Sequence, residues 1–417
     1  MRHWGWFAAV ALVLFAGTIA AQDNGIRRGK IKAVDADKHT VTITADGKDE
    51  TFTLTDRTRV MDASNQPVKE PFKDLASGAA VMFKADTRNG RTVLVGVKLA
   101  GDAAARRDAP SRFDTSHLKP LNELGAGQHQ GYEGGFYPGG RNDRPAAHEA
   151  AGLALARQVR PLDADGKPSP DGEIVLLSIG MSNTVQSSMG FQRALAGEAD
   201  KNPRVQFVNG AEGGQTAAIT QDPNDNGRGA HYWAGVDQKL RKAGVTRAQV
   251  QAVWIKQADA RPTEPFPKHA QKLQAELANI VRVLHDRFPN LKLCYLTSRT
   301  YGGYAKTALN PEPYAYESGF AVKWLIEQQI KGDPSLNHDP AQGPVKAPWL
   351  SWGPYFWANG KTPRADGLTY DEGDFAADGT HQSPSGQAKV GKLMLQFFKT
   401  DSTAKAWFLA PKAAGTE

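Results

Sequence analysis

The chain has 417 residues, 51 Lys and Arg against 44 Asp and Glu, and a single cysteine. One cysteine excludes an intrachain disulfide framework, and the length allows two or three domains with a sizeable core. The formal charge of +7 is scattered among acids, with no arginine-rich arm, helix-turn-helix pattern or zinc-finger spacing, so nucleic-acid binding is not expected.

Arg2 and His3 precede an apolar run from Trp4 to Ala16 and small residues ending at Ala20 and Ala21. Residues 1–21 therefore read as a secretory signal peptide cut before Gln22, which predicts a secreted or periplasmic protein. The run is short for a transmembrane helix and no later segment is long and apolar enough, so no stable membrane insertion is expected after cleavage.

Residues 25–100 read as a small all-β module. Val41 to Ala45 and Lys48 to Leu54 flank Asp46-Gly47, and Ala80 to Ala85 and Thr92 to Leu99 flank Asn89-Gly90. Alternating residues around such dipeptides signal hairpins. The pattern resembles small OB-like barrels and suits either sugar binding or a purely structural appendage. Residues 101–117, rich in Ala, Arg and Asp at the start, read as a linker. Residues 118–172 form a lead-in containing the glycine-rich run Gly131–Gly140, which suits either an active-site lining or a packed approach to the next domain.

From Glu173 the pattern changes. Ile174 to Ile179 is an unbroken apolar strand, and Val205 to Val208, Val253 to Ile255 and Leu291 to Leu296 predict further strands. Between them, Leu273, Leu277, Ile280, Val281 and Leu284 share one helix face, Glu317 to Ile330 is a second helix, and Ser383-Pro384 opens a third. Such alternation predicts an α/β domain over 173–417, a parallel sheet between helices with its site at the carboxyl ends of the strands. Cys294, in an apolar run, is expected to be a buried core residue.

Four loops at such positions carry candidate chemistry. Ser182 follows the first strand and begins a helix whose amino terminus can stabilise negative charge. Asn209 to Thr216 holds Gly214, where a backbone N–H can approach an oxyanion. Gln257 follows Trp254-Ile-Lys and offers an amide donor, with Asp259 nearby as an alternative contributor. In Asp378-Gly-Thr-His381, the acid can hold one imidazole nitrogen while the other accepts the serine proton.

In order, these loops resemble the blocks of the SGNH (GDSL-type) hydrolase family, over roughly Glu173 to Phe398. The resemblance implies a flavodoxin-like three-layer αβα sandwich and a catalytic triad of Ser182, Asp378 and His381. It also implies an oxyanion hole from Ser182, Gly214 and Gln257. Met181 replaces the aspartate of Gly-Asp-Ser, and the family's Gly-x-Asn-Asp block is absent. Trp254 to Ala260 is closer to the Trp-x-x-Gly-Glu-Ser block of some carbohydrate acetylesterases, in which glutamine supplies the amide. An α/β-hydrolase is disfavoured because Thr184 stands where the Gly-x-Ser-x-Gly elbow needs glycine. No His-Glu-x-x-His motif or cysteine cluster points to zinc, and no cofactor is expected.

The aromatic run Pro348 to Trp357, read as a loop before the last block, offers Trp349, Trp352 and Trp357 as sugar-binding faces or as packing for an insertion. The reading is a secreted serine ester hydrolase acting on an esterified glycan, first an acetylated one. A lipase or arylesterase of the same fold and a non-catalytic glycan-binding protein are the alternatives.

Overall fold

The computed structural model describes residues 26–55, 58–61, 68, 75, 77–88, 91–99, 113–225 and 227–411. The signal peptide, the Asn89-Gly90 turn and the linker from Gly101 to Arg112 lie outside the described residues. The chain divides into two compact units, Met1–Ala104 and Ala105–Glu417.

The first unit contains β1 (Ile26–Asp35), β2 (Thr40–Ala45), β3 (Lys48–Thr53), β4 (Arg59–Met61), β5 (Ala80–Arg88) and β6 (Arg91–Leu99). Asp46 and Gly47 both have positive φ, 52° and 76°, and Ala45 faces Lys48 across the turn. That backbone matches the right-handed twist of paired strands. Alternate residues Val41, Ile43 and Ala45 point inward, and Phe52 meets Phe83 at 5.2 Å between ring centroids. The sheet runs β3-β2-β1-β5-β6, and a parallel contact between β3 and β6 closes it into a five-stranded barrel of OB type, with β4 added beside β6.

The second unit opens with the lead-in, which includes β7 (Gln128–His129), β8 (Tyr132–Glu133) and α1 (Ala146–Ala156). Its side chains are fastened to the rest of the unit. His129 and His269 share the buried Glu317 carboxylate at 3.1 and 2.6 Å, and Tyr137 Oη meets Ser351 Oγ at 2.9 Å. The glycine-rich run is thus part of a packed approach to the sheet.

The sheet consists of β9 (Ile174–Gly180), β10 (Val205–Asn209), β11 (Val250–Lys256), β12 (Leu293–Thr297) and β13 (Trp349–Trp352), all parallel in the order β10-β9-β11-β12-β13. This is the flavodoxin-like order. Both faces are covered, which is why β9 is apolar throughout. Ile174 and Leu176 pack towards α1, α2 (Ser182–Ala196) and α6 (Pro384–Thr400). Val175, Leu177 and Ile179 pack towards α3 (Arg228–Lys242), α4 (Lys268–Arg287) and α5 (Tyr314–Ile330). Cys294 is fully buried, and burial pushes its thiol pKa up. Among the described residues no helix is long and apolar enough to cross a membrane.

The aromatic run corrects the sequence reading. Trp349 to Trp352 is the fifth strand, not a loop, because β12 supplies a free parallel edge for it. Trp349, Trp352 and Trp357 are 0, 2 and 0 % exposed, and their indole N–H groups donate to His148 O, Phe136 O and Glu312 Oε1. With no face open to solvent, they cannot serve as sugar platforms. Trp349→Ala should therefore destabilise the fold by about 3–5 kcal/mol in urea denaturation. A sugar-platform role would instead raise KM at unchanged stability.

Candidate active site

Ser182 is the first residue of α2, immediately beyond the carboxyl end of β9. Met181, the preceding residue, is extended and only 5 % exposed, so an apolar side chain fills a core position at this point. Its carbonyl accepts the N–H groups of Thr184 at 2.8 Å and Val185 at 3.0 Å, which starts the helix. The Ser182 N–H has no protein acceptor among the described residues. It is one of the orphan donors of a helix amino terminus and is available to an anion.

The Ser182 hydroxyl lies 2.7 Å from His381 Nε2. On the other side of the ring, His381 Nδ1 lies 2.5 Å from Asp378 Oδ2. An aspartate carboxylate on Nδ1 fixes the ring proton there and leaves Nε2 as the acceptor for the serine hydroxyl. The local turn makes this possible. Asp378 Oδ1 accepts the backbone N–H groups of Thr380 and His381, both at 2.9 Å, which folds the three residues back so that acid and ring share one side. Burial pushes the Asp378 carboxyl up. Hydrogen bonds from the His381 ring and from the His381 and Thr380 backbones outweigh it and hold the group well below the usual carboxylate range. The His381 and Asp378 side chains are 26 and 31 % exposed, so solvent reaches the site.

The helix that carries Ser182 also grips the loop that carries His381. Asn183 Nδ2 donates to Thr380 O at 3.0 Å, Gln186 Oε1 accepts the Gln382 N–H at 2.9 Å, and Ser187 Oγ donates to Gln382 Oε1 at 3.1 Å. These contacts bracket His381 on both sides. No sequence motif marks Asn183, Gln186 or Ser187. Their spacing from Ser182, one, four and five residues on, places them on the face of α2 nearest the nucleophile.

The glycine loop after β10 lies beside the serine. A side chain on Gly213 would begin 3.9 Å from Ser182 Cβ, and Gly214 has φ of 75°, a backbone that glycine adopts without strain. Gly214 O accepts from the Arg228 guanidinium at 2.6 Å, while the N–H groups of Gly213 and Gly214 have no protein acceptor among the described residues.

Gln257 does not fill the role that the sequence suggested. It is 2 % exposed, and its amide nitrogen donates to Gln215 O and Thr220 Oγ1, both at 3.0 Å. With both hydrogens committed inward, the amide holds the neighbouring loop and has none left for an oxyanion. Asp259 is likewise occupied, accepting the Ala218 N–H at 3.1 Å and pairing with Lys272 at 3.2 Å.

A groove of about 950 Å³ lies beside Tyr304 and is lined by none of Ser182, Asp378 and His381. Phe113, Thr115, Tyr301, Tyr304, Asn359 and Lys361 contribute to its lining, which mixes aromatic and polar groups. The Tyr304 carbonyl packs over Gly379, the residue after Asp378, and Lys306 N donates to Asp378 O at 2.9 Å.

No protein-family model matches this chain, and no curated protein matches it. Among solved structures, it overlaps a lipase from a goat rumen metagenome at 10% identity, covering 55% of this chain and 99% of that one, with a TM-score of 0.32. YxiM from Bacillus subtilis overlaps at 11% identity, covering 56% of this chain and 58% of that one, with a TM-score of 0.30. Over 20% of this chain, apo-CusF from Escherichia coli overlaps at 17% identity, covering 98% of that chain with a TM-score of 0.15.

If Asp378 fixes the imidazole tautomer, Asp378→Asn should leave the fold intact and lower kcat for an activated ester by about 10³- to 10⁴-fold. Steady-state kinetics with a circular dichroism control measures both.

Proposed function

We propose that the protein is a secreted serine ester hydrolase of SGNH type whose preferred substrate is an acetylated carbohydrate. The observation that carries this reading is the continuous relay from Ser182 Oγ to His381 Nε2 and from His381 Nδ1 to Asp378, set at the carboxyl ends of parallel strands.

In the proposed reaction, Ser182 Oγ attacks the ester carbonyl carbon as its proton passes to His381 Nε2. The carbonyl oxygen becomes an oxyanion, which the Ser182 N–H and the Gly213 and Gly214 N–H groups can accommodate. Collapse of the tetrahedral intermediate breaks the bond to the leaving alcohol, which takes the proton from His381. The acyl group remains on Ser182. Water then attacks the acyl-enzyme with His381 as base, releasing the carboxylic acid and restoring the serine. Asp378 stays ionised throughout and stabilises the imidazolium formed in each half-reaction.

Support for a carbohydrate comes from the groove, not from the buried tryptophans. Its aromatic surfaces suit the apolar faces of sugar rings, and its hydroxyl and ammonium groups suit their hydroxyls. The signal sequence would deliver the enzyme to where such polymers occur.

The test is acetate release from p-nitrophenyl acetate and from an acetylated xylan by wild type and Ser182→Ala. Wild type should release acetate from both, and the variant should be at least about 10³-fold slower. Equal activity of the two proteins would remove Ser182 from the reaction. Release from the aryl ester alone would point to a small-ester or lipid hydrolase, and release from neither to a binding protein.

A further inference from the structure

Lys256 is a charged residue at the end of an otherwise uncharged strand, Val250–Lys256, and its side chain is 1 % exposed. Among the described residues its amine has one hydrogen-bond partner, Asn183 Oδ1 at 3.1 Å. Among the described residues no carboxylate pairs with it. A second buried cation acts on it: Arg299, two residues beyond β12 and 3 % exposed. Arg299 in turn feels the Glu312 and Asp378 carboxylates. Burial, and then the Arg299 charge, push the Lys256 pKa well below that of an ordinary lysine.

Such an arrangement costs stability. A buried amine with a single hydrogen bond and no counter-ion is less favourable than an apolar side chain of similar length in the same place. Packing therefore gives no reason for a lysine here, whereas the position of its partner does. Asn183 follows the candidate nucleophile, and its Nδ2 donates to Thr380 O at 3.0 Å, the carbonyl immediately before His381.

We propose that Lys256 is a positioning residue for this triad: through Asn183 it fixes the backbone of His381 relative to Ser182. The chemistry of the amide explains how. An asparagine side chain is nearly symmetric in shape, and a half-turn exchanges its oxygen and nitrogen. Lys256 Nζ donates to Oδ1 and the Thr380 carbonyl can only accept, so the two partners together hold the amide with Oδ1 towards the lysine and Nδ2 towards Thr380 O. Without that donor the amide is held at its nitrogen end alone, one of the ties bracketing His381 loosens, and the Ser182–His381 geometry broadens. Displacement of a catalytic group by about 1 Å can cost on the order of 100-fold in rate. The inference rests on the ester-hydrolase reading above.

The test compares wild type with Lys256→Met, using p-nitrophenyl acetate kinetics and thermal unfolding. The expected result is a kcat roughly 10- to 100-fold lower, KM within about twofold, and a Tm equal to or above wild type. Asn183→Asp, which still accepts from Lys256 but cannot donate to Thr380 O, should show the same loss in kcat. A Lys256→Met protein as active as wild type overturns the proposal, as does one whose activity falls together with its Tm. An inactive wild type overturns the ester-hydrolase reading itself, which separates the two failures.

Discussion

Ser182 and His381 are 199 residues apart in the chain, yet Ser182 Oγ and His381 Nε2 lie 2.7 Å apart. The constraint that brings them together is the close approach of two helices, the one that begins at the serine and the one that follows the histidine. A side chain on Gly190 would meet the backbone of Gln387, and one on Gly391 would meet the backbone of Gly190. Two glycines therefore let the helix backbones touch. Phe191, Val390, Met394 and Phe398 then bury their surfaces together against the sheet. The polar ties from Asn183, Gln186 and Ser187 act at the end of this contact. Apolar packing supplies the proximity, and hydrogen bonds refine the angle.

The electrostatics of the site follow from the same placement. Parallel strands end where helix amino termini begin, so unpaired backbone N–H groups collect at one edge of the sheet. Ser182, Gly213 and Gly214 present three such groups in one neighbourhood. Asp378 faces the opposite demand. It must stay ionised while half-buried, and two backbone N–H groups with the imidazole keep it so. In the proposed reaction, fixed backbone dipoles can do this without reorganising as charge moves between the serine and the histidine.

Much of the architecture was legible from local pattern. The unbroken apolar strand at Ile174 to Ile179 required cover on both faces, and the helix face of Leu273 to Leu284 and the helix opened by Ser383-Pro384 supplied it. Ser182, Asp378 and His381 were legible because each sits in a short loop whose residue types state their geometry: a serine at a helix start, an acid three residues before a histidine. Gln257 was misread because the direction of a long side chain depends on what its neighbours offer. Here Gln215 O and Thr220 Oγ1 drew the amide inward. The tryptophans were ambiguous for the same reason. An aromatic cluster before a catalytic loop suits a ligand or a core equally well, and only the extra strand Trp349–Trp352 decides it. Lys256 left a visible signal, a lysine closing an apolar strand, but its partner lay 73 residues away.

The most direct test of the triad is mass spectrometry of the purified mature protein after incubation with a fluorophosphonate, a reagent that captures only a serine activated by its base. The structure predicts one phosphonyl group per chain, carried by the peptide that contains Ser182, and none in the His381→Ala protein. A chain that stays unmodified, or one modified at another residue, would contradict the account.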